Sequence, residues 1–229
     1  MANIPDKIFV FHFTAFRNLK SILQSKALKS KLVLRREKIV PINIACNNIQ
    51  DKRARTLVGT GDRTLHDYVP FYFAPRSPML YSVVGKNVPE AEETNQNNFI
   101  YFVTDILNLL NTDFRFTDYQ AVSAYATFYD NQTDLDKICW ELIHEKPHLP
   151  VAHSPFPGYC KYFQNSDTEE KYVKRKEARQ AEFLVFESVP LGKITLIVVK
   201  NEKMKNSVEN MLHEFGIKIK VEIREDWYF

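Results

Sequence analysis

The sequence is short of glycine, cysteine and long apolar runs, and each shortage excludes a class of protein. Six glycines leave little material for a glycine-rich phosphate loop. The three cysteines, Cys46, Cys139 and Cys160, form no CxxC pair, which indicates reduced thiols and no zinc site. The longest apolar runs, such as residues 194–199, are far shorter than a membrane span, and the N-terminus lacks the basic and apolar regions of a signal peptide. We therefore expect a cytoplasmic location, no membrane association and no bound metal.

The sequence also lacks a strong excess of charge of one sign. Lys and Arg total 31 against 28 Asp and Glu, which gives a net charge of +3. This small excess does not by itself indicate a nucleic-acid partner. The 45% hydrophobic and 13% aromatic content suffices for a sizeable core. A chain of 229 residues fits one large domain or two small ones.

Helix and strand patterns alternate along the chain, which favours one α+β domain over residues 1–229. Thr14 is placed as the N-cap of an amphipathic helix over residues 15–26. Residues 32–34 are strand-like, and the basic residues 171–179 suggest a solvated helix or loop. The other predicted strands are residues 8–13, 99–104, 114–117, 194–199 and 217–223, and the other predicted helices are residues 135–143, 169–177 and a stripe from Met204 to Phe215.

A lone carboxylate, Glu182, opens an apolar run with strand character. A carboxylate at the mouth of a buried strand is costly unless it is paired or hydrogen-bonded. Glu182 is therefore either a strand-end residue paired with a neighbouring Arg or a catalytic group held by a rigid strand. The small Ala181 precedes it.

His12 and Thr14 lie where the first strand is predicted to meet the first helix. Free N–H groups at a helix N-terminus suit an anionic or ribose-bearing ligand. The alternative for His12 is a hydrogen-bonded histidine of the core.

Residues 65–81, LHDYVPFYFAPRSPMLY, combine aromatic side chains with three prolines. Proline fixes the backbone without donating a hydrogen bond, so this segment suits the rigid wall of a site better than the centre of a sheet. An aromatic minicore with proline turns is the alternative, but it would not explain His66, Asp67, Arg76 and Ser77.

Several of these segments together resemble the DarT family, whose members transfer ADP-ribose from NAD to bases in single-stranded DNA. The resemblance runs from about Ile8 to Phe229. It rests on the motifs HFT at residues 12–14, IQDKR at 49–53, LHDYVPFYF at 65–73, PML at 78–80, RQAE at 179–182 and DWY at 226–228.

The resemblance implies an ADP-ribosyltransferase-like fold, in which two small sheets with flanking helices form a cleft for NAD. It implies Glu182 and Arg53 as the catalytic residues. It also implies a set of NAD-binding residues: His12, Phe13, Thr14, Asn18, Ile22, Arg53, His66, Tyr72 and Tyr81. The DNA-binding residues that we expect are Tyr119, Tyr159, Arg76 and Met79.

The chemistry of the reaction agrees with Glu182. Breaking the nicotinamide–ribose bond leaves an oxocarbenium-like sugar, which a fixed carboxylate stabilises. The role of Arg53 stays open, because arginine remains protonated and is a poor base. It could instead hold the diphosphate or polarise the accepting base.

The expected partners are single-stranded DNA, with thymine as the modified base, and a macrodomain antitoxin that removes the modification. The alternatives are the same fold acting on guanine, RNA or protein, and a non-catalytic nucleic-acid binding module. Intact Glu182 argues against a pure binder, which needs no carboxylate facing an anionic polymer.

Overall fold

The computed structural model describes residues 4–145 and 170–229, which form an α+β fold as predicted. Its strands are β1 (Phe9–Ala15), β2 (Ala27–Lys29), β3 (Tyr68–Tyr72), β4 (Phe99–Asp105), β5 (Phe114–Thr117), β6 (Phe128–Tyr129), β7 (Glu182–Phe186), β8 (Ser188–Pro190), β9 (Leu196–Val199) and β10 (Lys220–Ile223). Its α-helices are α1 (Leu19–Ser25), α2 (Lys31–Arg36), α3 (Asn47–Arg53), α4 (Pro78–Val84), α5 (Trp140–His144), α6 (Glu170–Ala178) and α7 (Glu202–Glu214).

Within the described residues, eight strands form one sheet in the order β10-β9-β4-β1-β3-β7-β5-β6, and β2 pairs with β8. The large sheet is divided in its middle. β1 pairs with β4 over all seven of its residues, but it pairs with β3 only at Phe11 and Tyr72. The sheet therefore consists of two four-stranded halves joined at one residue pair, and the fold has one large sheet and one two-stranded sheet where the resemblance implied two small sheets.

β3 lies inside the sheet, so the prediction that residues 65–81 would avoid a sheet centre is wrong for this strand. Pro70 is tolerated in β3 because its position needs no N–H for the ladder. Its carbonyl oxygen faces β1, where it lies 2.8 Å from Nδ1 of His12. The backbone nitrogen and carbonyl of one strand residue point to the same side, so the missing N–H faces the side where β1 has separated. After β3, α4 begins with Pro78 and is capped by the side chain of Ser77, which gives Ser77 a structural role. That the segment forms the wall of a site stays a prediction.

Three apolar clusters cover the sheet within the described residues, and the smallest contains Tyr68 of β3 and Leu184 of β7. Alternate residues of β1 belong to different clusters, with Val10 in one and Phe11 and Phe13 in a second. The second cluster also contains Tyr101 and the buried Tyr228. This alternation is the period of two expected for a strand that is covered on both faces.

Two predictions for the first forty residues are wrong. Thr14 does not cap a helix, because β1 continues through Ala15 and α1 begins only after a 3-10 turn at Phe16–Asn18. Residues 32–34 belong to α2, where the Ser30 side chain accepts a hydrogen bond from the N–H of Val33 at 3.3 Å. Capping by serine decides this segment, since a three-residue apolar run cannot distinguish helix from strand.

The later helices and strands differ from the predicted ones mainly in where they begin and end. Residues 135–143 divide into a 3-10 helix at Gln132–Lys137 and α5, and the last strand is confined to Lys220–Ile223. α6 agrees with the predicted helix to within one residue, but its basic side is not fully solvated. Arg175 and Arg179 are only 5% and 6% exposed. Both are held by hydrogen bonds, Arg175 to Glu145 and Arg179 to backbone carbonyls.

Candidate active site

Glu182 and Arg53 form a buried ion pair across the fold. The Nη1 atom of Arg53 lies 2.9 Å from Oε1 and 2.8 Å from Oε2 of Glu182. Arg53 ends α3, and Glu182 is the first residue of β7. The Glu182 side chain is 3% exposed and the Arg53 side chain 11%. Of the two interpretations of Glu182, the pairing is therefore observed, and the partner is a distant arginine rather than a neighbouring one.

The backbone around β5 and the loop after it hold Glu182 from the other side. The N–H of Ala121 donates to Oε1 of the carboxylate at 3.3 Å. The N–H of Glu182 itself donates to the Thr117 hydroxyl at 3.2 Å. Sequence reasoning missed both contacts, because a buried threonine at a strand end and a backbone N–H carry no recognisable pattern.

Tyr72 lies beside the ion pair as the cross-strand neighbour of Glu182. Directly opposed residues of an antiparallel pair share one face of the sheet. Burial, and then the nearby charge of Glu182, raise the pKa of Tyr72, so its phenol stays protonated. The hydroxyl contacts Sδ of Met79 at 3.6 Å, and the ring stacks on Phe13 with centroids 6.4 Å apart. Phe13, Tyr72 and Met79 thus form an apolar wall next to the carboxylate.

Two buried polar atoms near the ion pair lack a hydrogen-bond partner within the described residues: Nη2 of Arg53 and Nδ1 of His66. The Nε2 atom of His66 lies 3.1 Å from Oε1 of Gln50, which also accepts from Nζ of Lys31 at 2.8 Å. Because that oxygen is an acceptor, Nε2 carries the proton and Nδ1 is left as an acceptor. Burial, followed by the charges of Lys31, Arg35 and Arg53, lowers the pKa of His66 to about 4, so the ring is neutral at pH 7.

Comparison with known proteins identifies the family. The family model described as ssDNA thymidine ADP-ribosyltransferase, DarT, matches residues 11–229. A DNA ADP-ribosyl transferase of Thermus sp. strain 2.9 is 30% identical over 230 residues, which cover 98% of both chains. This chain belongs to the DarT family.

Solved DarT structures agree with the fold. The Thermus sp. 2.9 DarT in complex with ADP-ribosylated ssDNA superposes with a TM-score of 0.79 at 29% identity and covers 100% of both chains. The complex of that DarT with NAD+ gives a TM-score of 0.75 at 27% identity, covering 99% of this chain and 100% of the other. The ADP-ribosyltransferase-like fold expected from the DarT motifs is thus confirmed.

The DarT motif at residues 12–14 lies on β1, next to the split in the sheet. His12 contacts the Pro70 carbonyl, and burial lowers the pKa of its imidazole despite this hydrogen bond. The Thr14 hydroxyl accepts from Nδ2 of Asn18 at 2.9 Å. Asn18 also binds both backbone groups of Ile42, which fixes the segment before α3. Ile22 packs against the core from α1.

The remaining residues expected from the DarT resemblance occupy two further places. Arg76 donates from Nε to the Tyr228 carbonyl at 2.7 Å, and Tyr81 packs edge-on against Phe229 with centroids 5.2 Å apart. The last residues of the chain, Tyr228 and Phe229, therefore pack against the segment that contains Arg76 and Tyr81. Tyr119 is 38% exposed in the loop after β5. Tyr159 lies outside the described residues.

A cavity of about 500 Å³ lies elsewhere, lined by the turn at residues 58–63, Tyr68, Asp113, Arg115 and Asp130. Neither Glu182 nor Arg53 lines it, so the buried ion pair and the unpartnered atoms place the candidate site. Within residues 4–145 and 170–229, no cluster of His, Cys, Asp or Glu could hold a metal ion. No helix in this part of the chain is long and apolar enough to cross a membrane.

Proposed function

We propose that this chain, as a single domain over residues 1–229, transfers ADP-ribose from NAD to a thymine base of single-stranded DNA, with Glu182 and Arg53 as the catalytic residues. The observation that carries the proposal is the buried carboxylate of Glu182, held at the start of a strand by Arg53 and by the N–H of Ala121. Membership of the DarT family supplies the class of substrate.

Glu182 stabilises the sugar cation that forms when the bond between the ribose C1′ and nicotinamide breaks. Each carboxylate oxygen can accept two hydrogen bonds. Oε1 accepts from Arg53 and Ala121, whereas Oε2 accepts only from Arg53 among the described residues. Oε2 is therefore the atom available to a ribose hydroxyl. The carboxylate is fixed before the charge develops, which is the arrangement that gives electrostatic catalysis its effect.

Arg53 assists as a donor rather than as a base. Arginine has donors and no acceptor, so it is a poor base, and Nη2 of Arg53 is buried without a partner in the described residues. This nitrogen suits a carbonyl oxygen of the accepting base or a diphosphate oxygen. Donation to the base carbonyl would make the ring N–H more acidic: nicotinamide leaves C1′, the ring nitrogen forms the new bond to C1′, and its proton passes to solvent water.

The two unpartnered atoms fit NAD, because they offer one buried donor and one buried acceptor. Nδ1 of neutral His66 is the acceptor and suits a ribose hydroxyl or a carboxamide N–H. We propose that the NAD site comprises the residues expected from the DarT motifs: His12, Phe13, Thr14, Asn18, Ile22, Arg53, His66, Tyr72 and Tyr81. In this arrangement Phe13 and Tyr72 supply an apolar surface beside the carboxylate.

The DNA strand would be held by aromatic, basic and apolar side chains outside the ion pair. We propose Tyr119, Tyr159, Arg76 and Met79 for this role. An unpaired base stacks on an aromatic ring regardless of its sequence, and the exposed ring of Tyr119 lies two residues from the backbone N–H that contacts Glu182. Arg76 presents its guanidinium near the ring of Phe229.

The proposal is tested by incubating the protein and labelled NAD with a single-stranded oligonucleotide, the same sequence as a duplex, an RNA and a protein mixture. We expect label on the single strand, far slower labelling of the duplex because base flipping costs a few kcal/mol, and mass spectrometry that places ADP-ribose on thymine. Glu182→Ala should reduce the rate by about 10²–10³-fold with NAD binding retained. Labelling of RNA, protein or guanine instead would overturn the substrate assignment. Normal turnover by Glu182→Ala would remove Glu182 from the mechanism.

We propose further that the protein acts in the cytoplasm as the toxin of a toxin–antitoxin pair. Modification of genomic DNA harms the cell that makes the enzyme, so a macrodomain antitoxin that removes ADP-ribose is the partner expected for a DarT-family toxin. Expression of the wild type should stop growth unless such an antitoxin is present, and expression of Glu182→Ala should not. Equal growth at matched protein levels would contradict the toxin role.

A further inference from the structure

The loop that follows β5, residues 118–127, is closed at its base rather than free. Oδ1 of Asp118 accepts a hydrogen bond from the N–H of Thr127 at 2.9 Å, and Oδ2 accepts from the Tyr129 hydroxyl at 3.2 Å. The Tyr129 ring stacks on Phe116, with centroids 5.2 Å apart. The two ends of the loop are thus tied together by one carboxylate and by the pairing of β5 with β6.

The base of this loop also holds Glu182 at two points. The Thr117 hydroxyl donates to the carbonyl of Tyr119 at 2.7 Å and accepts from the N–H of Glu182 at 3.2 Å. Four residues later, the N–H of Ala121 donates to the Glu182 carboxylate. Thr117 and Ala121 are both fully buried. A displacement of the loop would therefore move either the backbone or the carboxylate of Glu182.

The outer side of the same loop carries aromatic rings in solvent. Tyr125 is 86% exposed and Tyr119 is 38% exposed. A large exposed aromatic side chain gains little from the fold and is suited to stacking with an unpaired base. One short loop thus has a surface for a nucleobase outside and two contacts to the carboxylate inside.

We propose that Thr117 is a positioning residue, whose hydroxyl holds Glu182 and the 118–127 loop as one unit so that DNA bound on the loop fixes the place of the carboxylate. The inference rests on the proposed catalytic role of Glu182. Thr117 itself touches neither DNA nor NAD in this scheme. Its effect comes from geometry, since a misplacement of about 1 Å in a reacting group can cost about 100-fold in rate.

A second buried threonine supplies a matched control. Thr104 in β4 is also fully buried, and its hydroxyl bonds the Lys193 carbonyl and Nδ2 of Asn108. Thr104→Val and Thr117→Val each remove one buried hydroxyl from the sheet, but only the second loosens Glu182. Thr117→Ser keeps the hydroxyl and loses only a methyl group.

The experiment measures kcat and KM for NAD and for single-stranded DNA in these three variants. We expect Thr117→Val to lower kcat by about 10- to 100-fold with the KM for NAD unchanged, Thr117→Ser to restore most of the rate, and Thr104→Val to behave as the wild type. If Thr117→Val does not fold, Asp118→Ala is the substitute variant, because Asp118 is partly exposed and ties the two ends of the loop together. It should likewise lower kcat and leave the KM for NAD unchanged. Normal kcat in Thr117→Val, or equal losses in both valine variants, would overturn the proposal.

Amide hydrogen exchange separates this inference from the proposed activity. Thr117→Val should speed exchange at Glu182 and Ala121, and Thr104→Val should not, whether or not the wild type modifies DNA. Unchanged protection at both amides would refute the coupling even in an active enzyme. A wild type that labels no DNA would refute the proposed function instead, with the exchange result still deciding the role of Thr117.

Discussion

Arg53→Ala should destabilise the protein as well as inactivate it, because it leaves a buried carboxylate without its cation. Removing one partner of a buried ion pair typically costs about 3–5 kcal/mol. The lower end applies here, since Ala121 still donates to Glu182 and the Arg53 side chain keeps 11% exposure. We therefore expect a loss of about 3 kcal/mol in the free energy of unfolding. For a chain of this length, that corresponds to a fall in Tm of about 6–12 °C.

The assay is thermal and urea unfolding of Arg53→Ala, Glu182→Ala, the double variant and Arg55→Ala. Arg55 lies in the same basic cluster as Arg53, the sequence DKRAR at residues 51–55, but it is exposed and its Nε donates to the Asp51 carbonyl. Its replacement should change the free energy of unfolding by less than about 0.5 kcal/mol. The double variant should lose at most about 1 kcal/mol more stability than either single variant, because the first substitution already removes the ion pair.

Additive losses in the double variant would refute this reasoning. They would mean that the two side chains contribute independently, through packing, and that the short distances between Nη1 and the carboxylate carry no coupling. A fall in Tm of similar size in Arg55→Ala would attribute the effect to the charge of the cluster. In either case the Arg53–Glu182 ion pair would not be what fixes the carboxylate in the candidate site.

Three further outcomes follow from single side chains. The pKa of His66 falls to about 4 on folding, so the unfolded chain binds the proton first and stability is lost as pH falls from about 6.5; at pH 5 the loss reaches about 2 kcal/mol. His66→Asn should flatten this fall between pH 7 and 5 in urea unfolding, and the exposed His213→Asn should not. Tyr125→Ala should raise the KM for DNA or shift the preferred flanking bases, by about 5- to 150-fold for one lost stacking contact, whereas Tyr125→Phe should resemble the wild type; a change confined to the KM for NAD would contradict the loop assignment. Ser30→Ala should lower Tm by about 2–4 °C through loss of the α2 cap, and an unchanged Tm would show that the cap contributes nothing.

The sequence predicted most strands of the core because buried strands are continuous in apolar side chains. β4 and β9 stand out as such runs, and both were located to within two residues. Short segments at the edge of the fold were less predictable. Residues 32–34 are apolar and β-like by composition, yet one serine hydroxyl at Ser30 decides for a helix. The prediction for Thr14 failed for the opposite reason. Threonine is a good helix N-cap, but pairing with β4 keeps Thr14 in a strand.

The site was harder to predict than the fold, because its partners are distant in sequence. Arg53 and Glu182 are 129 positions apart, and no periodicity links them. The resemblance to DarT motifs named both residues, but it did not show that they bind each other. The contacts from Thr117 and Ala121 had no signal at all, since one is a common residue at a strand end and the other is a backbone group.

The division of the large sheet explains why the carboxylate lies where it does. β1 and β3 pair only at Phe11 and Tyr72, and Tyr72 is in turn the residue opposite Glu182 on β7. Beyond this pair, Pro70 has no N–H to offer and its carbonyl is taken by His12. The two half-sheets therefore separate next to the residue pair that contains Tyr72, whose partner on β7 is Glu182. Pro70, which has no N–H to donate, thus lies where the two half-sheets separate, two residues from the strand partner of Glu182.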